Sequence, residues 1–150
     1  MSILLSLHIL AVIIWVGGMF FAYMVLRPIA VSTLEPPLRL RLWREVFSLF
    51  FKWVWVAIVT LWLSGLGMIF MLGGMALAGP HIHLMLSLGI VMTLIFLQVY
   101  FRLFPHLQAL VTTEQWQLAG DYLFKIRDWI RINLAIGLLV ACIAVVGRFL

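Results

Sequence analysis

Long apolar segments dominate the chain and are separated by shorter stretches that carry most of its charges. Four apolar segments are predicted to cross a membrane as helices, at about residues 4–26, 50–72, 83–101 and 132–146. At a rise of 1.5 Å per residue, about 20 helical residues cross a hydrocarbon core of about 30 Å. The pattern therefore predicts a single domain, residues 1–150, built as a bundle of four transmembrane helices.

The connections between these segments contain signals for further helical structure. A Glu-Pro-Pro sequence at residues 35–37 marks a helix start. Residues 38–49 alternate arginines with Leu, Trp, Val and Phe, which is typical of an amphipathic helix at the membrane surface. Pro105 is predicted to end the third helix. The predicted fold is therefore an all-α integral membrane protein, a four-helix bundle with short amphipathic helical connections.

Composition agrees with this class and excludes a soluble domain. The chain is 66% hydrophobic and 10% charged, and its mean hydropathy is +1.22. The single cysteine, Cys142, lies in an apolar run, so a disulfide or a cysteine-based metal site is not expected. Residues 1–2 carry no basic signal-peptide region and no cleavage site follows the first segment, so the first helix is expected to be retained.

The basic residues indicate an orientation rather than nucleic-acid binding, although the formal net charge is +5. Nine of the ten flank the two long connections, and only Arg148 lies at the other end. The positive-inside rule therefore predicts that both long connections are cytoplasmic and that both termini are outside. The nine are Arg27, Arg39, Arg41, Arg44, Lys52, Arg102, Lys125, Arg127 and Arg131.

A lone histidine, His8, lies within the first apolar segment. Lipid offers no hydrogen-bond partner, so its imidazole needs a neighbouring helix, a ligand or a metal. Helical spacing places Trp15 on the same stripe, with Gly17 and Gly18 beside it. Small residues there allow a second helix or a flat ligand to approach the backbone. A hydrogen bond to another helix and a cofactor-ligand role both fit this pattern.

Two further histidines are predicted to reach the same outer level of the membrane as His8. His81 and His83 open the third segment, whereas His106 lies on the cytoplasmic side. Residues two apart on a helix point about 200° apart, so only one of the pair can face His8. His83 is the deeper one and is the predicted ligand, with His81 as a hydrogen-bond donor nearer water.

Two metal chemistries fit such a site. In the first, His8 and His83 would occupy both axial positions of a haem b iron, and His81 would donate a hydrogen bond to a haem propionate. A haem bound in this way predicts a role in electron transfer or redox chemistry. Whether the protein is also a membrane oxidoreductase is left open. The alternative is a Cu(I) transporter or copper-binding permease, because histidine and methionine are soft ligands. Its residues would be His81, His83, Met71, Met75 and Met85. A purely structural subunit remains a third reading, since methionine also fills apolar helices.

The chain also resembles a known family. The residues that carry the resemblance are Leu7-His8-Ile9, Trp15, Gly17-Gly18, Phe20 and the Gly-Pro-His-Ile-His sequence at residues 79–83. They resemble the CopD (copper-resistance protein D) family, which is similar to the HemJ-type protoporphyrinogen oxidases.

That resemblance implies a four-helix unit of the bacterial inner membrane with a role in copper handling, and the charge distribution then makes both termini periplasmic. For the HemJ-type branch it implies haem b bound through His8, with His83 matching the histidine that opens the third helix. HemJ-type proteins carry a lysine where this chain has Met85, so protoporphyrinogen oxidation is not expected. The expected partners are the lipid bilayer and a quinone or periplasmic redox partner, with no nucleic acid. A homo-oligomer is left open.

Overall fold

A computed structural model describes residues 1–147, and over this range the chain forms four long helices and no β-strand. All four are long and apolar enough to span a membrane. The predicted all-α, four-helix membrane fold is therefore confirmed. Arg148, the one basic residue predicted at the outer end, lies outside the described residues. The helices are α1 (Ser2–Thr33), α2 (Pro36–Met71), α3 (Pro80–Thr112) and α4 (Trp116–Val146).

The predicted amphipathic connection at residues 38–49 is helical but is not a separate helix. α2 begins at Pro36 and runs without interruption through this segment. Leu40, Trp43 and Phe47 are spaced three and four apart, which places them on one face, and all three are buried. The segment therefore forms the first turns of α2 and packs one face against the rest of the bundle, while the other face is exposed.

The prediction that Pro105 ends the third helix is wrong. α3 continues to Thr112, and a π-helical turn at Val99–Leu103 directly precedes the proline. Proline lacks the backbone N–H and its ring clashes with the carbonyl four residues earlier. The wider π turn changes the hydrogen-bond register just before the ring, so the helix passes the proline and extends for two more turns. Two similar turns, Ile13–Gly17 and Ala22–Leu26, interrupt α1.

The helices pack as neighbouring pairs around an aromatic core. α1 packs along α2, α3 packs along α4, and α2 also contacts α4. Phe51 stacks on Phe47 at 5.2 Å and meets Phe96 and Phe104 edge to face, at 5.6 and 5.1 Å. These rings fill the middle of the bundle and the half nearer the long connections. The opposite half, which contains His8, is less densely filled and encloses a cavity.

The short connection between α2 and α3 closes the His8 end of the bundle. Gly73 and Gly74 have φ values of +94° and +101°, in the left-handed region that glycine adopts without strain. A single 3-10 turn, Met75–Leu77, follows them. α3 then begins at Pro80, so His81 and His83 both lie on regular helix.

Candidate functional site

A cavity of about 400 Å³ lies between the helices at the His8 end of the bundle. Ligand pockets in proteins commonly measure about 300–1,000 Å³. All four helices contribute to its walls, which are mostly aliphatic and aromatic. Besides His8, Trp15, Trp62 and Thr93, the walls include the four methionines Met1, Met68, Met85 and Met92.

His8 is held by one hydrogen bond to α2. Its Nδ1 lies 2.9 Å from Oγ of Ser64, a residue that is 2% exposed. The Ser64 hydroxyl also donates to the backbone carbonyl of Thr60. Because a hydroxyl has only one hydrogen to donate, Ser64 must accept from His8, so Nδ1 carries the proton. The hydrogen bond therefore selects the Nδ1–H tautomer, in which the neutral imidazole has its lone pair on Nε2.

The surroundings of the ring leave Nε2 available. The hydrogen bond between His8 and Ser64 uses Nδ1, the ring nitrogen opposite Nε2. A Cβ built on Gly65 would lie 3.3 Å from the His8 Cε1, so the absence of a side chain there lets α2 approach the ring closely. The pair Ser64–Gly65 therefore both orients the imidazole and makes room for it. Sequence reasoning missed this pair, and the only available signal was two small residues within an apolar helix.

The methionines add soft donors from other helices. Met68 lies on α2, whereas Met85 and Met92 lie seven residues apart on one face of α3. Thioether sulfurs and neutral imidazoles are the soft set that suits Cu(I). Met85 was among the predicted copper ligands and Met68 belonged to the methionine-rich cluster considered with them, while Met92 was not predicted. The spacing of seven was visible in the sequence but did not show which side of α3 faces the cavity.

The structure separates the other predicted ligands from this cavity. Among residues 1–147, the cavity walls contain His8, Trp15 and Met85 but neither His81 nor His83. His83 is exposed, and its Nδ1 lies 3.3 Å from the carbonyl oxygen of Gly79. The ring of His81 is half-buried against Gly79 and Gly147. Their roles as ligands stay predictions.

Met71 and Met75 are on the outer surface at the same end of the bundle, with 56% and 36% of their area exposed.

The two glycines predicted beside His8 differ from each other. Gly17 faces open space, whereas a Cβ on Gly18 would overlap the ring of Phe50 on α2. Gly18 is therefore the point of close approach between α1 and α2, and Gly17 is not.

We expect Gly18→Val to destabilise the protein by about 1–3 kcal/mol, because it inserts methyl groups where the Phe50 ring lies. Gly17→Val makes the same chemical change in open space and is the matched control, expected to be near neutral. Thermal unfolding of both purified variants in one detergent measures the difference. Equal midpoints for the two variants would show that the close approach at Gly18 contributes little.

Residues 1–147 contain no group of three or more His, Cys, Asp or Glu side chains arranged to hold a metal ion. A site for Zn²⁺ or Mg²⁺ built from such ligands is therefore not present in this range. What the cavity does bring together is one imidazole with a free lone pair and several thioethers.

The fold and the cavity define a class: an integral membrane four-helix bundle with a set of soft donors inside it. The family model described as "Copper resistance protein D" matches residues 44–147. The match covers more than half of the chain, and the chain belongs to that family, as its sequence predicted. The matched range includes Ser64, Met68, Met85 and Met92, while His8 precedes it. No curated protein and no solved structure matches the chain.

Proposed function

We propose that this protein binds Cu(I) as cargo in the cavity beside His8 and handles copper at the bacterial inner membrane. One observation carries the proposal: the free Nε2 lone pair of His8 shares a cavity with the methionines of α2 and α3. Family membership supports copper as the metal. The charge distribution supports an orientation in which both termini and this cavity are at the periplasmic side.

The cavity offers ligands that would replace the water lost by a cation when it enters the membrane. A bare ion in an apolar environment is very unfavourable unless ligands replace its water. Nε2 of His8 and the thioethers of Met68, Met85 and Met92 would supply that replacement without adding negative charge. Copper in its Cu(I) state prefers these donors, whereas harder divalent ions prefer oxygen.

The donors would differ in rigidity, which suits transient binding. Ser64 and Gly65 hold the His8 ring in one orientation. The methionines have three rotatable bonds each and can reach a metal or move away from it. The exposed His83, Met71 and Met75 lie at the same end of the bundle and would give Cu(I) its first contact from outside.

We expect Met85→Leu to weaken Cu(I) binding on the order of 10-fold, because it removes a thioether of similar volume from the cavity wall. Met24→Leu removes the same group from an exposed position of α1 outside the cavity walls and is the matched control, expected to leave the affinity unchanged. Competition of each purified variant against a chromogenic Cu(I) chelator measures both affinities. Equal losses in the two variants, or no loss in either, would contradict a site in the cavity.

A bound haem b is the second candidate, and the cavity itself favours it. Apolar walls, a neutral histidine oriented by a second helix and the glycine beside its ring suit a porphyrin. His8 would be one axial ligand. His83, the predicted second ligand, lies on the exposed surface, whereas Met68, Met85 and Met92 line the cavity, and His–Met ligation is known in haem proteins.

Haem would supply one-electron transfer, with a quinone or a periplasmic redox protein as partner. The absorption spectrum of the purified protein separates the two candidates. A Soret band that shifts on reduction would favour haem b, while Cu(I) bound to imidazole and thioethers gives no such band. A spectrum without a Soret band, together with binding of Cu(I), would favour the copper proposal.

A further inference from the structure

Three arginines from three helices converge at the end of the bundle opposite His8. Arg27 on α1 and Arg127 on α4 line the same small cavity, of about 10 Å³. Arg27 and Arg39, which lies on α2, repel the charge of Arg127, and the carboxylate of the adjacent Asp128 partly offsets that repulsion. All three side chains are half-buried. We call these residues, Arg27, Arg39 and Arg127, the arginine cluster.

The protein supplies the arginine cluster with no ion-pair partner within residues 1–147. The ion pairs of the described chain all involve other arginines. Asp128, which follows Arg127 in the sequence, is paired with Arg131. Like charges brought together at reduced dielectric repel, so the arrangement favours binding of an anion. The ion pairs are Arg41–Glu114, Arg44–Glu45 and Arg131–Asp128.

The spacing along α1 favours a position for the arginine cluster at the depth of lipid headgroups. Along α1, Arg27 follows His8 by about 28 Å at 1.5 Å per residue, which is close to the thickness of the hydrocarbon core. The guanidinium of Arg27 lies over the ring of Tyr23, 5.0 Å from its centre. Tyrosine is a typical residue of the membrane interface, and the contact with its ring holds the cation at that level.

We propose that the arginine cluster binds a phosphate group, presented either by the headgroup of an anionic phospholipid or by free inorganic phosphate. Guanidinium groups match phosphate in both charge and geometry, since each can donate two parallel hydrogen bonds. The cavity between Arg27 and Arg127 is about large enough for one water molecule. The phosphate therefore lies outside it, on the accessible sides of the half-buried guanidinium groups. Basic pockets between transmembrane helices are known sites for anionic lipid headgroups.

The test uses the full-length protein purified in phosphate-free detergent and native mass spectrometry. Phosphatidylglycerol and phosphatidylcholine with the same acyl chains are added in turn, and inorganic phosphate is added separately. We expect one phosphatidylglycerol to be retained per chain in preference to phosphatidylcholine. Arg127→Gln should weaken that retention at least about 10-fold, because it removes the charge and the charge-assisted hydrogen bonds of one guanidinium group. Arg39→Gln should also weaken the retention of phosphatidylglycerol. It is the variant to test if Arg127→Gln does not fold.

Arg102→Gln is the matched control. It removes the same charge from an exposed arginine of α3 outside the arginine cluster, and it should leave the retention unchanged. Phosphate binding that depends on Arg127, without selective lipid retention, would identify free phosphate as the source. Binding of neither lipid nor phosphate, or equal retention by the wild type and Arg127→Gln, would overturn the proposal. An equal loss in Arg102→Gln would overturn it too, because it would show only a general attraction to positive charge.

Discussion

Replacing His8 with alanine is expected to lower the affinity for Cu(I) by more than about 100-fold. The change removes the only imidazole in the cavity walls of the described chain, and losing a hydrogen-bond partner of a metal ligand alone commonly costs 10–100-fold. The four helices should still form, because helical backbone groups bond within their own helix and do not depend on this side chain. Chelator competition measures the affinity, and far-UV circular dichroism checks the helices.

His106→Ala is the control for His8→Ala. His106 is exposed near the end of α3, where its ring stacks on Tyr122 at 5.2 Å, and it lies outside the cavity. This variant should bind Cu(I) as the wild type does. Full Cu(I) binding by His8→Ala would show that the cavity is not the site. A loss in His83→Ala with full binding by His8→Ala would move the site to the exposed histidines at the start of α3.

The fold could be predicted because burial in lipid leaves few alternatives. A segment such as residues 4–26, with no charged side chain, can satisfy its backbone in hydrocarbon only as a helix. The pattern of apolar and polar residues was less informative about where a helix is interrupted. Proline normally ends a helix, and the π-helical turn that carries α3 past Pro105 has no sequence signature of comparable strength.

The candidate site could be predicted only in part, because side-chain direction depends on packing between helices. His8 was found from its position in an apolar segment, where any imidazole needs a partner. Which face of α3 meets the bundle is decided by its contacts with α4, and that choice places Met85 in the cavity walls and His83 on the surface. Periodicity shows which residues share a face but not where the face points.

The count of basic residues likewise gave no information about which side chains lie close together in the fold. It predicted which connections are cytoplasmic, since the positive-inside rule needs only the number of basic residues near each helix end. It could not show that Arg27 and Arg127 line one small cavity, or that Arg39 comes close enough to Arg127 for their charges to interact. Their proximity follows from the packing of α1, α2 and α4.

Ser64 is the residue least visible in the sequence and one of the most informative to change. A serine within a helix usually bonds to a carbonyl of the preceding turn, and Ser64 does so while also accepting from His8. In Ser64→Ala the Nδ1–H of His8 loses this acceptor, so neither the tautomer nor the ring orientation is held. We expect the affinity for Cu(I) to fall by about 10–100-fold, the usual cost of removing such a partner.

Ser87→Ala is the matched control for Ser64→Ala, because Ser87 also bonds to a carbonyl four residues earlier but is exposed. It should bind Cu(I) as the wild type does. Ser64→Thr keeps the hydroxyl and should retain more affinity than Ser64→Ala, provided that the extra methyl fits the buried site. This comparison separates a role of the hydroxyl from simple packing, since the alanine variant also removes an atom from a buried position. Unchanged Cu(I) binding by Ser64→Ala would show that the Ser64–His8 hydrogen bond is structural and does not prepare Nε2 for a metal.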